Sequence, residues 1–179
     1  LVPRMGLENL IEAVAAVRAS LPGIRLVIAG RGRLERELGA LAAARGLSDT
    51  VSFVGFVDDE TLVAHYQAAD LFVLPSIAFE GFGMVTLEAL ACGTPSVGTP
   101  IGATPEILRP LAPQLVLDGP EPSAIRRGLS AVLEWLSDES AEERLRKQCR
   151  EYVEGRYGWD RAIDALEDLI GELTDADDR

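Results

Sequence analysis

Two carboxylates, Glu80 and Glu88, lie on either side of a Gly-x-Gly turn formed by Gly81 and Gly83. The turn follows the apolar run Asp70-Leu-Phe-Val-Leu-Pro-Ser76, which predicts a buried parallel strand, and it precedes an apolar helix. Ligands of open α/β sheets bind beyond the carboxyl ends of such strands. Glycine lets the backbone approach a ligand, and the free N–H groups at a helix start favour a phosphate. The spacing therefore predicts a sugar-nucleotide site.

Glu88 is the more informative of the two carboxylates. It belongs to Met84-Val-Thr-Leu-Glu-Ala-Leu-Ala-Cys92, which is apolar on nearly every face and predicts a buried helix. A buried carboxylate needs a cation, backbone donors or ligand hydroxyl groups, so the structural alternative is a buried pair with an arginine. Glu80 stands beside glycine in a loop, where a glutamate is often simply solvated.

The elements that must position these residues alternate between helix and strand. Helices are predicted at about 7–20, 33–45 and 59–68, around Glu88, shortly after Thr104, and three times at the end of the chain. Strands are predicted at 24–29, 51–54, 71–75, 95–98 and 114–117. This order predicts an α/β fold, with a Rossmann-like parallel sheet and helices on both faces. The 179 residues fit one domain, 1–179, in which 158–179 form a closing helix and an acidic tail.

The segment Glu80-Gly-Phe-Gly, together with Glu88-Ala-Leu-Ala-Cys-Gly-Thr-Pro, resembles the donor-site signature of the retaining family-four glycosyltransferases, which have the two-domain GT-B fold. A closing helix near Tyr157-Gly-Trp159 is also similar to that family. The resemblance covers the C-terminal half of such enzymes only. Four more segments follow in the family's order: Val27-Ile-Ala-Gly-Arg-Gly32, Val51-Ser-Phe-Val-Gly-Phe-Val57, Ala69-Asp-Leu-Phe-Val-Leu-Pro-Ser76 and Gly102-Ala-Thr-Pro-Glu106.

The resemblance implies a role for each matching residue. Glu88 would hydrogen-bond the ribose hydroxyls of a nucleoside diphosphate sugar, and Glu80, in the catalytic position, would contact hydroxyls of the transferred sugar. The amides around Phe82, Gly83 and Met84 would hold the distal phosphate and the sugar. Other lining residues would be Gly81, Gly30, Gly32, Val54, Gly55, Val57, Thr104 and Glu106.

The same resemblance implies the reaction. Retaining transfer in this family is usually described as attack on the front face of the sugar, assisted by the leaving group, and no protein nucleophile is evident here. Amides and cations would stabilise the diphosphate in place of a metal, and no cofactor is expected besides the donor substrate. The acceptor half is missing, so this chain is expected to be inactive alone.

The chain departs from the family pattern near its start. Family members usually carry an arginine before the stretch that matches Leu1-Val-Pro-Arg4, and a lysine where Met5 stands; those two cations meet the diphosphate. Arg31, Arg33 or Arg4 itself are the candidates to compensate. Ala103 replaces a common glycine. Leu1–Arg4 also match the remnant of a protease-cleavable tag.

The family's domain opens with a strand that ends just before Leu1 and lies in the middle of the sheet. Without it, the strands at 24–29 and 71–75 should face a gap with unpaired backbone groups. Such a gap favours a rearranged sheet or a homo-oligomer.

Composition excludes several classes of partner. A formal charge of −12 argues against nucleic acid and anionic membranes, because both bind through an excess of Lys and Arg. No apolar run reaches the length of a membrane span, and no signal peptide is visible. The two cysteines are too few for a disulfide framework, so a cytoplasmic location is expected.

Three other motifs have simpler interpretations. Gly30-Arg-Gly32 suggests NAD binding, but Glu35 replaces the third glycine of that fingerprint. Asp58-Asp59-Glu60 precedes a helix, where acidic residues cap the start in preference to binding metal. His65 is the only histidine, so neither a histidine zinc cluster nor a histidine triad can form.

Two alternative functions remain at this point. A GT-B sugar-nucleotide epimerase half would use the same crevice. A non-catalytic binding or assembly module could keep the fold without the two cations.

Overall fold

The computed structural model describes residues 1–177, and side chains through residue 171. Its helices are α1 (Leu7–Val17), α2 (Glu35–Ala44), α3 (Asp59–Ala68), α4 (Met84–Ala91), α5 (Thr104–Leu108), α6 (Pro122–Leu136), α7 (Glu139–Tyr157) and α8 (Trp159–Asp177). Its strands are β1 (Leu26–Ala29), β2 (Val51–Gly55), β3 (Phe72–Leu74) and β4 (Ser96–Gly98), and short 3₁₀ turns cover Pro3–Met5 and Pro113–Leu115. The predicted α/β alternation is confirmed.

The strands pair in parallel as two separate two-stranded sheets. β1 pairs with β2, and β3 pairs with β4. Within residues 1–177, no strand occupies the other edge of β1 or of β3. The gap expected between these two strands is therefore present, and the single continuous sheet is interrupted there.

The strand predicted at 114–117 is wrong for most of its length. Pro113 begins a 3₁₀ turn that runs to Leu115, and only one parallel bridge, between Gly98 and Val116, remains of the strand. Proline has a fixed φ and no N–H, so it starts a turn more readily than it joins a ladder.

A large part of the core lies where α1 packs on α6 and α2. α1 buries Leu10, Ile11 and Val14 at helical spacing, and α6 contributes Ile125 and Leu129. Packing of these apolar faces holds the helices in place. The loops between the elements are then free to adopt conformations that polar contacts stabilise.

The first four residues are part of the folded domain. Leu1 is 6% exposed, and its amino group donates to the Arg31 carbonyl beyond β1. The Arg4 carbonyl accepts from the Ile77 amide beyond β3, at 2.8 Å. This segment crosses the gap at the carboxyl ends of both sheets.

Helix α8 begins at Trp159, within the range predicted for the closing helix, and its described side chains are exposed. The last two residues of the predicted acidic tail, 178–179, lie outside the described residues. None of the described helices combines the length and the apolar character that a membrane span needs.

Candidate functional site

Glu80 is held in a half-buried position by its own loop. The Ser76 hydroxyl, at the end of the β3 segment, donates to Glu80 Oε2 at 2.6 Å. Thr99, which follows β4, donates through its amide to the Leu74 carbonyl at 3.1 Å and through its hydroxyl to the Ser76 carbonyl. Glu80 is thus a positioned carboxylate and not a freely solvated loop residue.

Glu88 is exposed, so the prediction of a buried carboxylate is wrong. α4 buries Thr86, Leu87, Ala89 and Leu90, whereas the opposite side of the helix is open. That open side is also apolar at Met84 and Val85, which are 59% and 39% exposed. The apolar sequence of α4 does not make the helix buried all round, because one of its apolar faces is exposed.

The protein partner of Glu88 is a tyrosine on α3. The Tyr66 hydroxyl donates to Glu88 Oε2 at 3.2 Å. The Tyr66 ring packs edge-on against Phe72, and its carbonyl accepts from the Thr94 hydroxyl at 2.6 Å. Burial, reinforced by the nearby carboxylate, raises the pKa of Tyr66, so its hydroxyl stays protonated and remains a donor. The structural alternative, a buried pair of Glu88 with an arginine, is not what the structure shows.

The start of α4 has the backbone geometry that the Gly-x-Gly turn predicts. Gly83 adopts a left-handed conformation, with φ +77°, directly before the first helical residue, Met84. Phe82, next to it, packs edge-on against Tyr157 at the end of α7, with ring centroids 5.9 Å apart. No side chain caps this helix start, so its first N–H groups are available to an anion.

The turn after β1 and the end of β2 form the other part of the site. The Gly30 amide donates to the Gly55 carbonyl at 2.6 Å, and both glycines have positive φ. The Arg31 side chain lies beside Gly55. Val54, one residue earlier, is exposed, and Val57 is half-buried. The structure thus brings the predicted Gly30–Gly32 and Val54–Val57 segments together.

A cleft of about 500 Å³ adjoins this turn. It is lined by Gly32, Arg33, Glu35, Arg36 and Phe53. Two guanidinium groups therefore border the side of the site that the sequence predicts for phosphate. Arg33 was a predicted compensating cation, and Arg36 was not.

The loop after β4 touches the Glu80 loop directly. The Ala103 amide donates to the Gly81 carbonyl at 3.0 Å, and a side chain at Gly102 would collide with the Glu80 carbonyl oxygen. Glu106 is exposed on α5. Thr104 is 1% exposed, so its predicted place on the border of an open crevice is wrong.

Arg146, on α7, contacts the ends of α3 and α4, the two helices that carry Tyr66 and Glu88. It donates to the Ala69 carbonyl at 2.8 Å and to the Gly93 carbonyl at 3.4 Å, at the ends of α3 and α4. It also forms an i,i+4 ion pair with Glu142 at 2.8 Å. Arg146 therefore supplies donors to free carbonyls at the ends of α3 and α4.

Asp58 caps α3, as predicted, by accepting from the Thr61 amide at 2.8 Å. His65 is half-buried on that helix. Among the side chains that the structure describes, no group of three or more His, Cys, Asp or Glu is arranged to hold a metal ion.

Sequence reasoning missed Ser76 and Tyr66 as partners of the two carboxylates. Ser76 lies four residues before Glu80, and a signal for it was available in that short spacing. Tyr66 lies 22 residues before Glu88, and only the packing of α3 against α4 brings the two together.

Comparison with known proteins agrees with this geometry. A family model described as "Glycosyl transferases group 1" matches residues 1–155. A GDP-mannose-dependent alpha-(1-6)-phosphatidylinositol monomannoside mannosyltransferase of Mycobacterium tuberculosis is 34% identical over 176 residues, which are 95% of this chain and 45% of that protein. A D-inositol 3-phosphate glycosyltransferase of Geodermatophilus obscurus is 34% identical over 168 residues, covering 89% of this chain and 36% of the relative.

Among solved structures, the sucrose-phosphate synthase of Thermosynechococcus elongatus superposes with a TM-score of 0.80 at 28% identity. The match covers 98% of this chain and 44% of that one. The chain thus spans less than half the length of the relatives named here, and its fold is one Rossmann-like half of a GT-B glycosyltransferase. The chain belongs to the group 1 glycosyltransferases.

Proposed function

We propose that this chain is the donor-binding half of an enzyme that transfers a sugar from a nucleotide-sugar with retention of anomeric configuration. The observation that carries the proposal is the pair of held carboxylates beyond β3: Ser76 fixes Glu80 and Tyr66 fixes Glu88. An oriented carboxylate can accept hydrogen bonds from two hydroxyl groups of one sugar, because it has two acceptor oxygens. Two such groups around one anion-binding helix start suit a ligand with two sugars and a diphosphate between them.

Glu88 would accept hydrogen bonds from the ribose hydroxyls, and Glu80 would accept them from hydroxyls of the transferred sugar. The uncapped start of α4 after Gly83 would receive the diphosphate. Arg33 and Arg36, at the cleft beside Gly32, supply positive charge on the side of β1 and β2. The base would lie along the backbone between Val54 and Val57.

In the transfer step, the bond between the anomeric carbon and the diphosphate oxygen breaks as the acceptor oxygen bonds to the same face of the sugar. The acceptor proton goes to the departing diphosphate. Amides and guanidinium groups stabilise the charge that develops on the diphosphate, because fixed donors need no reorganisation during the reaction. The acceptor binds in the other half of the protein, so transfer by this chain alone is not expected.

The two relatives suggest the ligands to try first. One is GDP-mannose-dependent and acts on a phosphatidylinositol monomannoside, and the other acts on D-inositol 3-phosphate. A sugar-nucleotide donor and an inositol-containing acceptor are therefore the leading substrate classes for the whole protein. Both relatives are transferases, which favours transfer over epimerisation.

The experiment is a thermal-shift panel of UDP, GDP and ADP, each free and joined to glucose or mannose. A ligand that binds only the folded state stabilises it by about 2.7 kcal/mol at 100 times its Kd. At least one nucleotide-sugar should raise the melting temperature. If no ligand in the panel does, the donor-site proposal is wrong and a non-catalytic module becomes the better account.

Metal independence is part of the proposal. Binding of the best donor should survive EDTA, because the proposed contacts are amides, guanidinium groups and carboxylates. Loss of binding in EDTA that Mg²⁺ or Mn²⁺ restores would contradict this part of the mechanism.

A further inference from the structure

Phe79 combines a strained backbone with an unpacked side chain. Its φ is +52°, and no other non-glycine residue among 1–177 has a positive φ. The left-handed region disfavours residues with a Cβ, and it suits glycine or asparagine better than phenylalanine. Phenylalanine therefore has a higher conformational energy at position 79 than glycine or asparagine would have there.

Packing does not account for the aromatic ring. The residue is 88% exposed, and its ring has no aromatic partner among the described side chains. Phe82, three residues later, differs because it packs on Tyr157. Strained backbone positions cluster at active sites and ligand contacts, so the strain at Phe79 marks its exposed ring as a candidate ligand contact.

The loop is held from several sides in the strained form. Arg4 Nη1 donates to the Phe79 carbonyl at 3.1 Å, and the Arg4 carbonyl accepts from the Ile77 amide at 2.8 Å. The next residue, Glu80, is fixed through Ser76 at 2.6 Å. The backbone at Phe79 and the carboxylate of Glu80, which are consecutive in the chain, are therefore both held in place.

We infer that Phe79 is a sugar-recognition residue, whose ring stacks on the apolar face of the transferred hexose while Glu80 accepts from its hydroxyls. This rests on the proposed donor site. One face of a hexopyranose presents C–H groups with slight positive charge, and the face of an aromatic ring is slightly negative. An adjacent aromatic ring and carboxylate therefore match the two chemically different surfaces of one sugar.

The test uses calorimetry on this chain, with the nucleotide-sugar that gives the largest thermal shift and with its free nucleoside diphosphate. Phe79→Asn removes the ring and keeps a residue that tolerates positive φ, and Phe79→Tyr keeps the ring. Trp159→Asn removes an aromatic residue of similar exposure, 84%, from α8. Thermal unfolding of each variant reports folding separately.

We expect Phe79→Asn to weaken the nucleotide-sugar roughly three- to tenfold, the scale of one aromatic contact, and to leave the free diphosphate within about twofold. Phe79→Tyr and Trp159→Asn should bind both ligands as wild type does. Unchanged nucleotide-sugar affinity in Phe79→Asn, or an equal loss for both ligands, overturns this inference alone. If wild type binds neither ligand, the proposed function itself has failed.

Discussion

The Tyr66 hydroxyl donates to Glu88 Oε2 over 3.2 Å and so ties α3 to the carboxylate on the open face of α4. Glu88 could rotate freely on that exposed face without this bond. The hydrogen bond restricts the carboxylate before any ligand arrives, which lowers the entropy lost on binding.

Tyr66→Phe should therefore weaken nucleoside diphosphate binding about three- to tenfold, the scale of an ordinary hydrogen bond of about 0.5–1.5 kcal/mol, because Tyr66 orients Glu88 and does not itself contact the ligand. Because the raised pKa keeps the Tyr66 hydroxyl protonated, wild-type affinity should show no tyrosine-linked fall between pH 7 and about 10. Calorimetry checks both statements. Ser137→Ala is the control, since it removes a hydroxyl that donates to the Glu134 carbonyl at 2.7 Å at the end of α6. An equal loss of affinity in both variants would contradict a specific role for Tyr66.

Local sequence was enough to predict most of the elements and the turns of the site. The glycines at 30, 55 and 83 all adopt the positive φ that their turns require, and Asp58 caps α3 through a three-residue spacing. These features depend on neighbours in sequence. The exposure of Glu88 and its contact with Tyr66 depend on how α3, α4 and α7 pack, and composition carries no signal for that.

Gly102→Ala should disrupt the Glu80 loop. Gly102 has φ +59°, and a Cβ there would collide with the Glu80 carbonyl oxygen. We expect a loss of about 1–3 kcal/mol in the free energy of unfolding, measured by urea denaturation. Gly39→Ala on α2, where a Cβ meets nothing within 4 Å, should instead gain about 0.5–1 kcal/mol. If Gly102→Ala matched wild type in stability, the close contact between the two loops would be disproved.

The cap on α3 predicts a pH dependence of stability. Hydrogen bonds from the Thr61 side chain and amide lower the pKa of Asp58 in the folded state. Its contribution is therefore complete above the unfolded pKa, near 4, and is lost as the pH falls through the lower folded value. Asp58→Ala should be less stable than wild type at pH 7, and the difference should shrink on acidification toward pH 3.

Urea denaturation across this pH range measures the difference. Asp59→Ala removes an acid from the same turn and leaves the cap intact, so it serves as the control. If the stability difference between wild type and Asp58→Ala grew as the pH fell, the N-cap role of the Asp58 carboxylate would be contradicted.

The unpaired edges of β1 and β3 predict self-association of this chain. Val27 on β1 is 49% exposed, and no strand among residues 1–177 covers that edge. Open edges pair with other strands unless charge or a break prevents it. Sedimentation velocity should show mass above the monomer that rises with concentration. Val27→Lys should reduce it, whereas Leu21→Lys, at a similarly exposed site outside the strands, should not. A strictly monomeric wild type would rule out edge pairing.

The most direct test of the donor-site account compares Glu88→Ala and Glu80→Ala by calorimetry, with a free nucleoside diphosphate and its nucleotide-sugar. Loss of the ribose acceptor should remove about 1.5–3 kcal/mol of binding free energy for both ligands in Glu88→Ala. Glu80→Ala should weaken the nucleotide-sugar and leave the free diphosphate nearly unchanged. Wild-type affinity for both ligands in Glu88→Ala would contradict the assignment of this carboxylate to the ribose, and with it the central claim.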